Sequence, residues 1–332
     1  MQLVLNTYGL QLSQHNRCFR IQSKTESNLI SPVRITSILI TKAANITSSA
    51  LILAAENDIP VILVNSVGQP VVKINPVLAA GHSALRKKQY EFTKSAAAVG
   101  WIIRLLLLKT EQQISNLAWW ANRKPSIATV CLESKKRLIA SEKSLLQMVQ
   151  QKSVRTELLQ ALRGWEGSNA RFYWQAMANL ARGEGWKMQG RSYHPADDEI
   201  NAALNYLYGM LYHQVETALA SAGLDSQLGL WHRDEYQTPS LSFDVIEPLR
   251  PKVDKLLSEI LMRHQLKAEW FEPDEKYGYI LNRQGKKILI PLFNEWLEQK
   301  LKMQNLVTAA KNHILQQAYN LRKEIEKTEL YE

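Results

Sequence analysis

Four side chains that could share metal-dependent chemistry lie in predicted loops and at predicted helix ends. They are Glu166, His232, Asp244 and Glu247. A spacing of three residues on a helix would place the carboxylates of Asp244 and Glu247 side by side. Carboxylate oxygens with one imidazole suit Mg²⁺ or Mn²⁺, whereas zinc normally takes more nitrogen or sulfur. Such an ion polarises a phosphodiester and stabilises charge on the attacking or leaving oxygen.

The same acids fit a plainer interpretation equally well. Asp244 and Glu247 stand near the start of a predicted helix, where negative charge is favoured in any case. Glu166 also precedes a predicted helix, which begins at Gly167. Spacing alone therefore leaves a metal site and a solvated acidic face as alternatives.

The stretch from Ala222 to Pro251 must position three of these side chains. Gly223 can adopt the left-handed conformation that ends a helix, so a compact loop should follow and present His232. Ser240 is the predicted N-cap of the next helix, which should open irregularly at Pro248. The glycines on either side of Glu166 predict a break between two helices.

Two regions of different periodicity predict an α+β fold with two domains. Residues 1–75 carry short β-branched segments separated by turns, which predict a small antiparallel β-rich domain with one helix. Residues 76–332 show helical periodicity and predict a large all-α domain. Within it, Tyr277–Leu281 and Lys287–Ile290 are predicted to form one small hairpin.

The bulk composition favours a polyanionic partner. The 332-residue chain has a formal net charge of +10, which fits nucleic acid or an anionic membrane surface. Arg104, Lys109 and several basic clusters recur along the predicted helices, as solvated faces or as a phosphate-binding surface. The apolar run Ile102–Leu108 is far too short to span a membrane. With no leader pattern and two unpatterned cysteines, we expect a soluble cytoplasmic protein.

Four motifs in order along the chain resemble one known family, the first of the universal CRISPR-associated proteins. This family is the endonuclease and integrase subunit of spacer acquisition. The matching segments are Glu166-Gly with Arg171-Phe-Tyr-Trp174, Gly190-Arg191 leading to Pro195, Asp198 and Asn201, Gly223-Leu-Asp225 to His232, and Ser242-Phe-Asp244-Val-Ile-Glu247-Pro-Leu-Arg-Pro251. The resemblance runs essentially from end to end.

The resemblance implies a site and a reaction. Glu166, His232 and Glu247 would be the ligands of Mg²⁺ or Mn²⁺, with Asp244 as an accompanying acid near the scissile phosphate. The 3′-hydroxyl of a DNA fragment would attack a phosphodiester at a CRISPR repeat boundary, and hydrolysis would be the same displacement by water. The implied partners are double-stranded DNA, a second copy of the chain joined mainly through residues 1–75, and the second universal CRISPR-associated protein.

Two other functions stay open at this stage. A transposon-borne integrase with the same catalytic domain would share these ligands. A DNA-binding scaffold with an idle site would share the basic charge.

Overall fold

In a computed structural model, the described part of the chain comprises residues 2–40, 44–64, 70–74, 83–151, 155–232 and 239–329. Its N-terminal part contains eight described strands and one helix. They are β1 (Gln2–Leu5), β2 (Gln11–His15), β3 (Cys18–Gln22), β4 (Ser27–Ile30), β5 (Ser37–Ile40), β6 (Asn45–Ile46), α1 (Ser48–Glu56), β7 (Val61–Val64) and β8 (Pro70–Ile74).

These strands form two four-stranded sheets. In one sheet, of order β1-β5-β7-β8, the first three strands are parallel and β8 is antiparallel to β7. In the other, of order β4-β3-β2-β6, the β2-β3 and β3-β4 pairs are antiparallel and β2-β6 is parallel. The prediction of a purely antiparallel layer is therefore wrong. The signal for parallel pairing was the continuous apolar run in β5 and β7, which typifies strands covered on both faces.

Ten helices, counting α1, are present in the described part of the chain. Those after the sheets are α2 (Ser83–Lys94), α3 (Ala96–Arg123), α4 (Ala128–Gln151), α5 (Arg155–Gly183), α6 (Glu199–Ser221), α7 (Ser240–Ile246), α8 (Arg250–Met262), α9 (Arg283–Glu298) and α10 (Ala310–Glu326). The long helices α3, α4 and α5 pack against one another, and α6 contacts α7, α8 and α10. One apolar core joins all of these helices and includes Trp120, Tyr173 and Phe293.

Two antiparallel hairpins interrupt the helical part. The first pairs β9 (Phe271–Asp274) with β10 (Gly278–Leu281), and the second pairs β11 (Lys300–Met303) with β12 (Leu306–Ala309). The predicted strand Lys287–Ile290 is instead part of α9. The reason is local.

Asn282, taken in the sequence for a turn residue, caps α9. Its side-chain oxygen accepts hydrogen bonds from the backbone N–H groups of Gln284 and Gly285, each at 3.0 Å. This is the usual N-cap interaction, which starts a helix where a hairpin turn was predicted. Gly285 is required there, because a Cβ at this position would lie 2.5 Å from Leu281 and 2.8 Å from Trp270.

The division into a β-rich N-terminal part and a helical C-terminal part is confirmed. The boundary at residue 75 stays a prediction, because it falls in the undescribed segment between β8 and α2, and the predicted turn at Gly68 also lies outside the described residues. Among the described helices, none combines the length and apolar character of a membrane span.

Candidate active site

Glu166 projects from the middle of α5, so the predicted helix break at this position is wrong. Gly164 and Gly167 are both helical, although each costs roughly 1 kcal/mol relative to alanine. Burial of the neighbouring Leu162 and Trp165 in the helical core offsets that cost. Glu166 is thereby presented from a long rigid helix rather than from a loop.

The loop that carries His232 is compact, as predicted. Gly223 adopts φ +71° at the end of α6. The backbone N–H and C=O of Asp225 then bond to the side chain of Gln89 on α2, at 2.9 and 2.8 Å. The backbone N–H of Leu241 donates to Ser226 at 2.9 Å, which ties the loop to α7.

The carboxylate of Asp244 organises the end of this loop. Its Oδ2 accepts the backbone N–H groups of Leu230 and Trp231 at 2.6 and 3.0 Å. Its Oδ1 accepts the backbone N–H of His232 at 2.9 Å and lies 2.7 Å from that residue's Nδ1. A carboxylate offers about four acceptor positions, and all four are taken.

The role predicted for Asp244, that of an acid near the scissile phosphate, stays a prediction. The side chain is fully buried, and its four acceptor positions are occupied, so none is left to bind a metal ion. It instead fixes the tautomer of His232, because an imidazole that donates from Nδ1 keeps its lone pair on Nε2. The His232 side chain is 38% exposed, and among the described residues none is hydrogen-bonded to its Nε2. Asp244 is therefore a positioning residue.

Glu247 lies where α7 ends before Pro248, and it is almost fully buried. Its two oxygens pair with different cations: Oε1 lies 2.6 Å from Nη1 of Arg250, and Oε2 lies 2.6 Å from Nζ of Lys109. Burial alone would raise the pKa of Glu247. The charges of Arg250, Lys109 and His232 outweigh it and lower the pKa to about 2.

Burial of both acids removes the alternative of a solvated acidic face. Although Asp244 and Glu247 are three residues apart, their carboxylates serve different partners, one the His232 loop and the other the two cations. Ser240 is also not an N-cap: α7 begins at this residue, and Pro239 precedes it.

Lys109 joins the two predicted glutamate ligands. Its Nζ lies 2.5 Å from Oε1 of Glu166 and 2.6 Å from Oε2 of Glu247. Those two oxygens are thus no more than about 5 Å apart, since they share one hydrogen-bonded nitrogen. Lys109 is buried, and not on the solvated or phosphate-binding face predicted for it. Burial opposes its charge, but Glu247 and Glu166 together raise its pKa above the ordinary value.

The structure therefore brings Glu166 and Glu247 to one point, with His232 close enough to influence the pKa of Glu247. The described residues contain no cluster of three or more His, Cys, Asp or Glu side chains placed to hold a metal. The predicted triad of ligands stays a prediction.

The family model for "CRISPR associated protein Cas1" matches residues 3–295. The chain belongs to the Cas1 family. Relatives named CRISPR-associated endonuclease Cas1 support the same assignment over most of the sequence. The Methanospirillum hungatei protein is 29% identical over 270 residues, covering 78% of this chain and 74% of its own length. The Saccharolobus solfataricus protein is 26% identical over 327 residues, covering 96% of this chain and 94% of its own length.

Solved structures share the fold of this Cas1-family chain. TM1797, a CAS1 protein from Thermotoga maritima, aligns with TM-score 0.79 and 18% identity over 100% of this chain and 99% of its own. A casposase bound to integration product aligns with TM-score 0.78 and 22% identity, covering 99% of this chain and 92% of its own length. A chain of a Cas6-RT-Cas1–Cas2 complex aligns with TM-score 0.77 and 19% identity, covering 100% of this chain and 36% of its own length.

A second buried polar cluster adjoins the Cas1 site. Asp254 on α8 accepts hydrogen bonds from the hydroxyls of Tyr173, at 2.9 Å, and Tyr208. Burial raises the pKa of Asp254 to about 6, although both hydroxyls oppose the shift. A cavity of about 40 Å³ is lined by Asp254 and Tyr208 together with Lys109 and Glu166.

Sequence reasoning missed Lys109, Arg250 and Asp254 as parts of the site. Arg250 and Asp254 lie three and seven residues after Glu247, so their closeness to this predicted ligand along the chain was a usable signal. Lys109 gave none, because a single lysine after an apolar run resembles the exposed lysines elsewhere in these helices.

Proposed function

We propose that this protein is a metal-dependent DNA endonuclease and integrase that inserts DNA fragments as new spacers into a CRISPR array. The contact of Glu166 and Glu247 with a single cation, near the imidazole of His232, carries the proposal. Membership of the Cas1 family, whose matched relatives are named endonucleases, supports the reaction class.

The residues present fit Mg²⁺ or Mn²⁺. Glu166 and Glu247 already face one positive centre, which demonstrates that both carboxylates can reach the same point. Their oxygens and Nε2 of His232 are the donor set that these ions accept. When bound, the ion would supply Lewis-acid stabilisation of negative charge at the scissile phosphate.

The chain's own residues would prepare the site for displacement at phosphorus. Asp244 holds the imidazole of His232 in one tautomer and one orientation. Arg250 occupies one oxygen of Glu247 and directs the other toward Glu166. A DNA 3′-hydroxyl, or water in the hydrolytic reaction, would attack the phosphodiester directly. No side-chain nucleophile is needed for either reaction.

Phosphate contacts from exposed basic residues near the site would hold the DNA. Arg163 lies one turn before Glu166 on α5, and Arg171 is exposed further along that helix. Arg163 also stacks over Trp231 of the His232 loop at 5.2 Å. Binding through about six phosphates would weaken on the order of a thousandfold between about 50 and 200 mM salt. A flat salt titration would contradict binding of this kind.

The partners follow from the same proposal. Because one structural neighbour is a complex that contains Cas1 and Cas2, we propose that this chain assembles with a Cas2 protein. Insertion of both ends of a fragment needs two active sites at fixed separation, which a homodimer would provide. The assembly would act on the CRISPR array in the cytoplasm.

Single alanine substitutions at Glu166, His232 and Glu247 test the proposal. Each should abolish Mn²⁺-dependent cleavage and strand transfer on branched DNA, while DNA affinity measured in EDTA stays within a few fold of the wild type. Glu157→Ala, which removes an exposed acid from the same helix, is the matched control and should react normally. If His232→Ala retains wild-type rates, the site is assigned wrongly. Wild-type protein that binds DNA without reacting in any metal would point to an idle scaffold.

A further inference from the structure

The ion pairs of Lys109 are buried, unlike a surface salt bridge. The residue lies on the buried face of α3, and its side chain is 11% exposed. Its ammonium contacts one oxygen each of Glu166 and Glu247. A divalent ion shared by Glu166 and Glu247 would be held by oxygens of these same two carboxylates. The ammonium and such an ion therefore compete for one position.

Charge balance leads to the same competition. The carboxylates of Glu166 and Glu247 are neutralised by Lys109 and Arg250, so the four groups together carry no net charge. A divalent ion added to that set would bring two uncompensated positive charges next to two buried cations. Like charges at this distance repel strongly when water is largely excluded. Departure of the ammonium removes part of that repulsion.

Arg250 is not the group that would leave. Its guanidinium holds the other oxygen of Glu247, lies over the rings of Tyr208 and Tyr212 and donates a hydrogen bond to the Tyr212 hydroxyl. Lys109 instead ends in an ammonium on a flexible stem, which can turn away by rotation of its own side chain. The small cavity that Lys109 lines together with Gln113 and Trp174 gives the stem a place to move.

We propose that Lys109 is the resident counter-ion of the Glu166 and Glu247 pair, and that a divalent ion enters this site by displacing the ammonium. The inference rests on the proposed metal site. In the metal-free protein, Lys109 keeps the two carboxylates together and the helices α3, α5 and α7 in place. The same contact weakens metal binding, so loading of the site is a cation exchange.

Mn²⁺ binding and thermal unfolding of the full chain test this exchange. Free Mn²⁺ can be followed by electron paramagnetic resonance during titration of the wild type, Lys109→Met, Lys109→Gln and Lys109→Arg. The Met and Gln variants should unfold at lower temperature in EDTA, and Mn²⁺ should restore most of that loss. Their Kd for Mn²⁺ should be lower than the wild-type value by about tenfold or more. The Arg variant should bind no more tightly than the wild type.

Lys124→Met is the matched control. Lys124 also pairs with a buried carboxylate at 2.5 Å, that of Glu184, but away from the site. This variant should lose thermal stability in EDTA without rescue by Mn²⁺, and its Kd for Mn²⁺ should equal that of the wild type. Rescue of this control would mean that Mn²⁺ stabilises the chain non-specifically and would overturn the inference.

The outcomes separate the inference from the function on which it rests. If the wild type binds Mn²⁺ and the two neutral Lys109 variants bind equally or more weakly, Lys109 supports the metal and the exchange is refuted. If the wild type binds Mn²⁺ and the two neutral variants bind it about tenfold more tightly or better, displacement is supported; if only the neutral variants bind, Lys109 blocks the site and the exchange is refuted. If no protein binds Mn²⁺, or if Glu166→Ala leaves the wild-type titration unchanged, the metal site itself fails.

Discussion

Asp244→Asn would be the most informative substitution outside the proposed metal ligands, because it changes neither the size nor the shape of the side chain. The carboxylate accepts four hydrogen bonds, two at each oxygen, from Leu230, Trp231 and His232. An amide offers one oxygen and one NH₂ group. In either orientation, the NH₂ group must therefore face two groups that now donate.

The structure sets the size of the effect. Keeping the amide oxygen on Leu230 and Trp231 sacrifices the two bonds to His232, and each hydrogen bond to a charged group contributes about 1.5–3 kcal/mol. Partial relaxation of the loop leaves an expected loss of about 2–4 kcal/mol in unfolding free energy. The NH₂ group would also force Nδ1 of His232 to accept, which moves the proton to Nε2. Loss of such a partner typically lowers metal affinity by about 10–100-fold.

Two measurements check this prediction. Chemical denaturation gives the stability loss, and Mn²⁺ titration with a cleavage assay gives the loss at the site. Asp225→Asn is the control, because this half-exposed residue lies in the same loop and its side-chain oxygen accepts the backbone N–H of Gln227 at 3.0 Å. An Asp244→Asn protein with wild-type stability, Mn²⁺ affinity and cleavage rate would refute the positioning role.

Three further predictions concern stability and assembly. Because the folded pKa of Asp254 is raised from 3.8 to about 6, the contribution of this residue to stability is fully present below about pH 4 and about 3 kcal/mol of it is lost as pH rises through 6. Asp254→Asn should lack this fall in denaturation series at several pH values. Gly278→Ala should cost about 2–4 kcal/mol, because φ is +74° and a Cβ would lie 2.2 Å from the carbonyl oxygen of Ala196. Gly164→Ala, with nothing within 4 Å of the added Cβ, should stabilise the protein by up to about 1 kcal/mol in the same melting experiment. Light scattering should report about twice 38.0 kDa for the full chain and a monomer for residues 76–332, and a dimeric truncated protein would refute dimerisation through residues 1–75.

Local chemistry in the sequence determined several features of this protein. Gly223 ended α6 as predicted, because a left-handed residue is a local requirement of the chain. Pro248 separated α7 from α8 for a similar local reason. The change from β-branched segments to helical periodicity separated the two parts of the fold. The motifs also placed the chain in the Cas1 family before any contact was known.

Other features depended on partners distant in the chain. The apolar sequence of β5 is typical of a strand covered on both faces, but the packing of distant parts of the chain decides that β1 and β7 are its neighbours. Glycines on both sides of Glu166 predicted a helix break by local propensity, but burial of Trp165 against the helical core kept α5 continuous. Tertiary packing overrode a local preference of about 1 kcal/mol per glycine.

The site shows the same division most sharply. The sequence supplied Glu166, His232, Asp244 and Glu247 as a set of residue types, but not which of them face each other. Lys109 and Glu166 are 57 residues apart, and their contact exists only because α3 and α5 pack together. Asp244 became a positioning residue because the His232 loop closes over its carboxylate. Residue types fix which interactions are chemically available, whereas the packing of distant elements selects which of them form.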